Sequence, residues 1–555
     1  TPEKATLKNF ADWSTGEMEG LSLNDRGDLV LAPQLIRLAQ DIPGPIVDAI
    51  RSDNGTIFFA TPAPARVWSF DGKNEPKKIL ELDRPLILKL AFANANELIA
   101  LSGPDGGLHF IPIKKPWQAR YLPIKGASLL MDVAVTSFGL FVVGGGETGG
   151  LWLIVDKKKA IRQAEFEDTV LSLVRAWPGQ RETLVLGSAS DGRIFKFVNG
   201  SLMALYQSKA KEVVDVLFDD KDNLYVAFSS ALENISNGAT QRDKKTDKAK
   251  TRNKKKSTGT SEIVKIAPDV SADVLWITEE NDIHDLAWLV EGKTFVVGTG
   301  PAGRIFNVDA GSAKGVGIWA EIPDYDDVVK LLPDGRDNLF LGTSHGASLW
   351  RASAKKVEEL GLFTSSVFDA GGAADIGHVT WEPVDAQGVD VRVRTGHSNN
   401  PNEGWSGFSK SIQKPQNVVV TPGRFMQVQV QVSPQGKVGE RVLDTLTLSY
   451  RLRNRSPEIS KVVVSLPNLH TWRTYSSPDQ SRGVTLNENT HKTRPDSMSP
   501  SEKKLKGKMR QEAGYRTFHV VAQDPDQDKM RYRFRLMRMG KKSSKAVDAT
   551  DWSEN

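Results

Sequence analysis

The four residues Gly-Arg-Ile-Phe stand at 192–195 and again at 303–306. They are the most visible part of a longer repetition, which limits the folds open to this chain more than any other feature does. Seven segments share one order: an apolar strand, a turn rich in Asp, Asn or Gly, a second apolar strand ending in small residues, a short turn, and a third strand carrying an aromatic. They open at Ile46, Ile87, Leu129, Val170, Val213, Ile283 and Val328. Equivalent positions at the third strand are Ala65, Gly107, Gly150, Gly192, Ser261, Gly303 and Ala347, separated by 42, 43, 42, 69, 42 and 44 residues. The long step exceeds the period by 27 residues, close to the length of a polar stretch at 232–260. The two Gly-Arg-Ile-Phe sites are therefore two periods and one insertion apart. They mark architecture, not a shared binding motif.

A period of about 42 residues with four short strands per unit is the mark of a propeller blade. One such sheet has two apolar faces and is unstable alone; radial packing covers both, and closing the ring removes the end faces. Glycine before the third strand relieves a tight turn, and the aromatic behind it supplies area between blades. The expected fold class is all-β: a seven-bladed β-propeller over residues 1–365, with a basic insertion at 232–260. A β-sandwich over 366–456 and a partial fibronectin type III or immunoglobulin-like unit over 457–555, with a polar insertion at 476–512, follow it. An N-terminal strand within 18–32 is expected to take part in closing the ring beside 357–366; the open alternative is a last blade complete in itself. In general form the segments resemble WD-repeat and NHL/YVTN-like propellers, without the regular Gly-His and Trp-Asp signatures of the former.

After Ser365 the grammar changes. Val389–Val393 and Met426–Val432 alternate with period two, as half-buried antiparallel strands do. The stretches SSVFDAG (365–371), VRTGHSNNPNEGWSGFS (393–409), RFMQVQV (424–430) and YRLRNRSPEI (450–459) resemble uncharacterised exported bacterial proteins that join a propeller to a sandwich. The match departs at Phe408, where that pattern has a second tryptophan. The resemblance implies a periplasmic, extracellular or cell-envelope location in a bacterium, and no defined activity. Further on, GYRTFHVVAQDPDQDKMRYRFRLMRMG (514–540) reads as one hairpin with an acidic turn. Two or three strands cannot complete an immunoglobulin-like domain, which needs about seven. Either the chain continues past Asn555 or another chain supplies strands.

Composition narrows the chemistry. There is no cysteine among the 555 residues, which excludes disulfides and thiolate-ligated metals. No 18-residue apolar run exists. The chain starts TPEKATLKNF, so a cleaved leader and a trimmed start both stay open. Of the net charge of +5, a local +7 lies in 241–260, on Lys244, Lys245, Lys248, Lys250, Arg252, Lys254, Lys255 and Lys256 together with Arg242. That segment offers salt-sensitive attraction to an anionic polymer or membrane surface. It lacks interleaved aromatics, so specific nucleic-acid binding is not expected.

No motif calls for a cofactor. Asp524, Asp526 and Asp528 alternate as hard-cation ligands do and form a calcium candidate, against the plainer reading of a hairpin turn. The acids Glu279, Glu280, Asp282, Asp324, Asp326 and Asp327 open two segments, but Pro45, Pro85, Ser128 and Thr169 stand at the matching starts elsewhere. His109 occupies a place held by Trp or Phe in neighbouring repeats, and His345 sits in a turn without an identifiable nucleophile. The glycine clusters at 144–150 and 187–192 lack a following helix and GK[ST], so they read as turns. Arg394, His397, Asn399, Asn400, Trp405 and Phe408 are candidates for glycan or protein contact; the competing reading makes Trp405 a plug of the sandwich. The expected role is a non-catalytic scaffold binding other proteins of a larger assembly. The alternative is a carbohydrate-binding protein, or a glycan-acting hydrolase or lyase using the propeller face.

Overall fold

Each repeat folds into its own antiparallel sheet. In the first, Asp48–Arg51, Ile57–Thr61, Arg66–Phe70 and Lys77–Glu81 pair in chain order. The repeats spanning 86–123, 129–166, 171–207 and 212–278 each form a four-stranded sheet in the same way. The computed structural model describes residues 2–230, 260–279, 281–311, 315–323, 327–335, 338–344, 347–433, 441–472, 484–487, 508–511, 513–524, 529–534, 537–539, 546–549 and 553–554. The lysine-rich stretch 241–256, His345, Asp526 and Asp528 lie outside these residues.

The sixth sheet runs Asp282–Val290, Thr294–Gly300, Arg304–Asp309, Val316–Glu321, and is then extended by Leu21–Leu23, Leu29–Leu31 and Arg441–Leu443. The seventh takes Val328–Pro333, Asn338–Thr343 and Leu349–Val357 from its own repeat, and its fourth strand, Pro33–Ala39, from the N-terminal region. First strands pack on one another in chain order, and Val328–Pro333 also packs on Asp48–Arg51, so the series returns to its start. This is a β-propeller closed by hydrogen bonds, with Leu349 opposite Ala39 and Ala352 opposite Leu35.

N-terminal participation is more divided than one strand at 18–32. Glu17–Glu19 does pair with Gly361–Thr364, but the hairpin 21–31 joins the sixth sheet and 33–39 completes the seventh. The burial pattern explains the split. Leu21–Leu23 and Leu29–Leu31 are buried at every position and need cover on both faces. Pro33–Ala39 keeps Arg37 and Ile36 exposed, as suits an outermost strand.

Apolar layers between adjacent sheets hold the ring. Phe58, Ala60 and Val67 of the first meet Ile87, Leu98 and Ile111 of the second; Ala347 and Leu349 of the last meet Ile46, Ile57 and Phe59 of the first. Gly192 and Gly303 both adopt positive φ (65° and 64°), followed by buried Ile194–Phe195 and Ile305–Phe306. The repeated tetrapeptide is thus one turn used twice.

Glu3–Leu7, Glu17–Glu19, Gly361–Thr364, Phe368–Glu382, Val389–Gly396, Gln416–Asn417, Gly423–Val432 and Thr445–Leu452 build an eight-stranded antiparallel sheet. The two period-two runs are adjacent strands, with Val391 opposite Val430 and Val393 opposite Val428, all buried. Propeller and sheet belong to one compact unit, Thr1–Arg451.

Leu452–Asn555 is a second unit. There the expected hairpin across 514–540 does not form among the described residues. Tyr515–Gln523 pairs with Glu458–Val464 and Val484–Asn487, while Arg533–Phe534 pairs with Ser553–Glu554.

Candidate functional site

The ring axis is where a propeller gathers side chains from several repeats. One position decides what it holds: the residue two after the buried Ile46, Ile87, Leu130, Leu171, Val213, Ile283 and Val328, namely Asp48, Lys89, Asp132, Leu173, Asp215, Asp285 and Lys330. A register shift precedes it in six sheets, between Ile87 and Lys89, Leu130 and Asp132, Leu171 and Leu173, Val213 and Asp215, Ile283 and Asp285, and Val328 and Lys330. Such bulges re-aim side chains. Here they turn charged groups toward the next blade.

Each aspartate accepts a backbone N–H from the following first strand. Leu90 donates to Asp48 Oδ2 (2.8 Å), Val174 to Asp132 Oδ2 (3.0 Å), Leu286 to Asp215 Oδ2 (3.3 Å) and Leu331 to Asp285 Oδ2 (2.8 Å). Cations bridge them. Lys89 Nζ lies 3.8 Å from both Asp48 and Asp132. Arg175 bonds Asp132 and lies 3.1 Å from Asp215. Lys330 Nζ is 2.8 Å from Asp285 and 3.7 Å from Asp48.

Arg175, two residues beyond Leu173, supplies the third cation; four acids and three bases cannot alternate around a closed ring, and the like-charged neighbours fall at Asp215 and Asp285. Burial raises Asp285 to about 6, with Lys330 pulling it down and Asp215 pushing it up. Burial would also raise Asp215, but Arg175, Lys330 and Lys89 outweigh it and hold that group below the carboxylate range. Lys330 and Arg175 are held above their ordinary values: burial opposes this, and the surrounding carboxylates win. The chemistry is that of a clamp between blades. The repeat starts compared in sequence, Pro45, Pro85, Ser128 and Thr169, lie three or four residues before this position; its signal is the recurring apolar–any–charged–apolar run in IVDAI, ILKLA, VVDVL, IHDLA and VVKLL.

His109 is a packing residue. Its Nε2 lies 3.0 Å from Ser102 Oγ and its ring 4.8 Å from Tyr121, the place where Trp68 Nε1 donates to Thr61 in the first sheet. Burial, then Arg84, lowers its pKa to about 4. Among the described residues no three His, Asp or Glu side chains converge as metal ligands. Asp524 is buried, and its calcium partners of the sequence reading lie outside those residues.

In the eight-stranded sheet, Arg394 lies 4.6 Å over the Phe408 ring and 5.5 Å over Trp405, and donates from Nε to Gln427 Oε1 at 2.7 Å. Trp405 covers Gly396, where a Cβ would meet its ring at 2.4 Å, and donates to the Ser398 carbonyl at 3.0 Å. His397 and Asn399 are exposed, and Asn400 Oδ1 accepts the Asn402 N–H. The structure therefore brings Arg394, Trp405 and Phe408 together and leaves His397, Asn399 and Asn400 on an adjoining loop.

A cavity of about 430 Å³ opens elsewhere in the same unit, beside Glu17–Glu19 and against Trp350, Glu358 and Leu360. Its residues come from five separate parts of the chain, and nothing in their local sequence announces it.

No family model and no curated protein matches the chain. Among solved structures it is similar to virginiamycin B lyase from Staphylococcus aureus, at 10% identity and a TM-score of 0.44, over 58% of this chain and 99% of that one. A streptogramin B lyase structure is 11% identical with a TM-score of 0.43, over 58% and 97%. YCF48 bound to D1 peptide is 14% identical with a TM-score of 0.41, over 58% and 96%. Likeness this distant carries no argument about activity.

Proposed function

We propose that the protein is a non-catalytic interaction scaffold, a rigid propeller that presents its loops and edges to other proteins. The observation that carries this reading is the use of the axis. Asp48, Asp132, Asp215 and Asp285 are all bonded to the next blade, and three cations are shared among them. A hydrolase or lyase on this fold needs acids or metal ligands turned toward a substrate; these groups are turned toward one another. Rigid scaffolds that carry variable loops suit binding. As part of the same proposal the assembly lies outside the cytoplasm of a bacterium, a reading supported by the motif resemblance of 365–459. Gentle native purification with cross-linking tests it: a stoichiometric protein partner is expected, and repeated recovery of the chain alone would overturn it.

A further inference from the structure

The strand Glu17–Glu19 ends the order of the eight-stranded sheet. It pairs with Gly361–Thr364 on one side, and no described strand pairs with its other side. The 430 Å³ cavity opens beside it. Glu17, Glu19, Glu321 and Glu358 contribute to the lining, and among the described residues no Lys, Arg or His does. The remaining wall is apolar and includes Trp350 and Leu360, the latter 50% exposed.

Glu321 accepts from Arg304 at 3.2 Å, and Glu358 accepts the Leu35 N–H. Glu17 and Glu19 are exposed at the lip and, two residues apart on one strand, project to the same side. Burial raises the Glu17 carboxyl above its ordinary range against the pull of Arg394, so a cation entering the groove relieves a cost already present.

We propose that this groove binds an extended, Lys- or Arg-bearing segment of a partner protein, laid alongside Glu17–Glu19. The inference rests on the scaffold reading and names the partner's chemistry. An edge strand accepts an extended segment by backbone pairing. Basic residues at alternate positions then face Glu17 and Glu19, since side chains i and i+2 share a face about 7 Å apart. The aliphatic stems of Lys and Arg cover Leu360 and Trp350 while their charged ends meet the carboxylates. A polyanion or an anionic membrane is repelled by the same wall. A bare metal ion leaves the apolar wall uncovered.

The test uses the full chain and a fluorescent, end-blocked peptide, Lys-Val-Lys-Val-Lys, titrated at physiological ionic strength. Saturable one-to-one binding is expected, with at least tenfold loss in the Glu17→Gln/Glu19→Gln variant and no binding of Glu-Val-Glu-Val-Glu. An Asp53→Asn/Asp83→Asn variant removes two exposed charges elsewhere and should bind as wild type does. Equal binding by the groove variant, equal loss in the control variant, or binding of the acidic peptide would each overturn the assignment. Circular dichroism of each variant separates lost binding from lost folding. If the groove variant still co-purifies with a stoichiometric partner at wild-type yield, the groove assignment falls and the scaffold reading stands.

Discussion

Replacing Arg175 by Met removes the cation shared by Asp132 and Asp215, and its cost follows from the geometry. At 3.1 Å and an effective dielectric near 20, the attraction to Asp215 alone is about 5 kcal/mol before desolvation is subtracted. Asp132 and Asp215 are 2% and 10% exposed as side chains, so water cannot replace the lost partner. Breaking such a pair from one side costs about 3–5 kcal/mol, a large fraction of a typical domain's total. Urea unfolding followed by tryptophan fluorescence reads the loss, with Trp177 in the neighbouring apolar layer as reporter. The loss should be smaller at pH 5 than at pH 8. Losing Arg175 takes away the first of the cations that hold the Asp215 carboxyl low, so its folded pKa moves up in the variant and the stability it lends near neutral pH shrinks. Adding Asp215→Leu should recover part of the loss, which a double-mutant cycle measures. An Arg175→Met variant within 1 kcal/mol of wild type at both pH values would refute the clamp.

Asp285, raised to about 6 from 3.8, makes folding less favourable as pH climbs between those values; Asp285→Asn should flatten that part of a melting-temperature profile. Gly192→Ala combines a φ of 65° with a Cβ 2.0 Å from the Ala210 carbonyl, and should lower stability by well over the ~1–2 kcal/mol of a left-handed alanine. Gly200→Ala, at φ 78° with open space around it, should cost only that smaller amount in the same denaturation assay. Removing residues 2–39 strips the seventh sheet of Pro33–Ala39 and bares the edge of Leu349–Val357, so light scattering should report more association than for the intact chain.

Read as letters, the chain already discloses its repeat length, the insertion after the second strand of the fifth repeat, and the equivalence of the two Gly-Arg-Ile-Phe turns. Those features depend on local periodicity and on glycines at turns, which act within a few residues. The clamp was written in the same letters, but its meaning was not. Asp48 meets Leu90 in the next repeat and Lys330 from the last one, and only a closed ring brings 48 and 330 together. Strand placement near the N-terminus was equally hidden, because backbone hydrogen bonding is generic and any free edge of matching length can accept Pro33–Ala39. The groove is a stronger case still: it draws on 17–20, 35, 321–323, 350 and 358–364, and exists only because the eight-stranded sheet and the propeller share one unit. Period and turn chemistry are short-range properties that a linear chain can carry. Which charge faces which, and which edge stays uncovered, depends on segments hundreds of residues apart meeting in space.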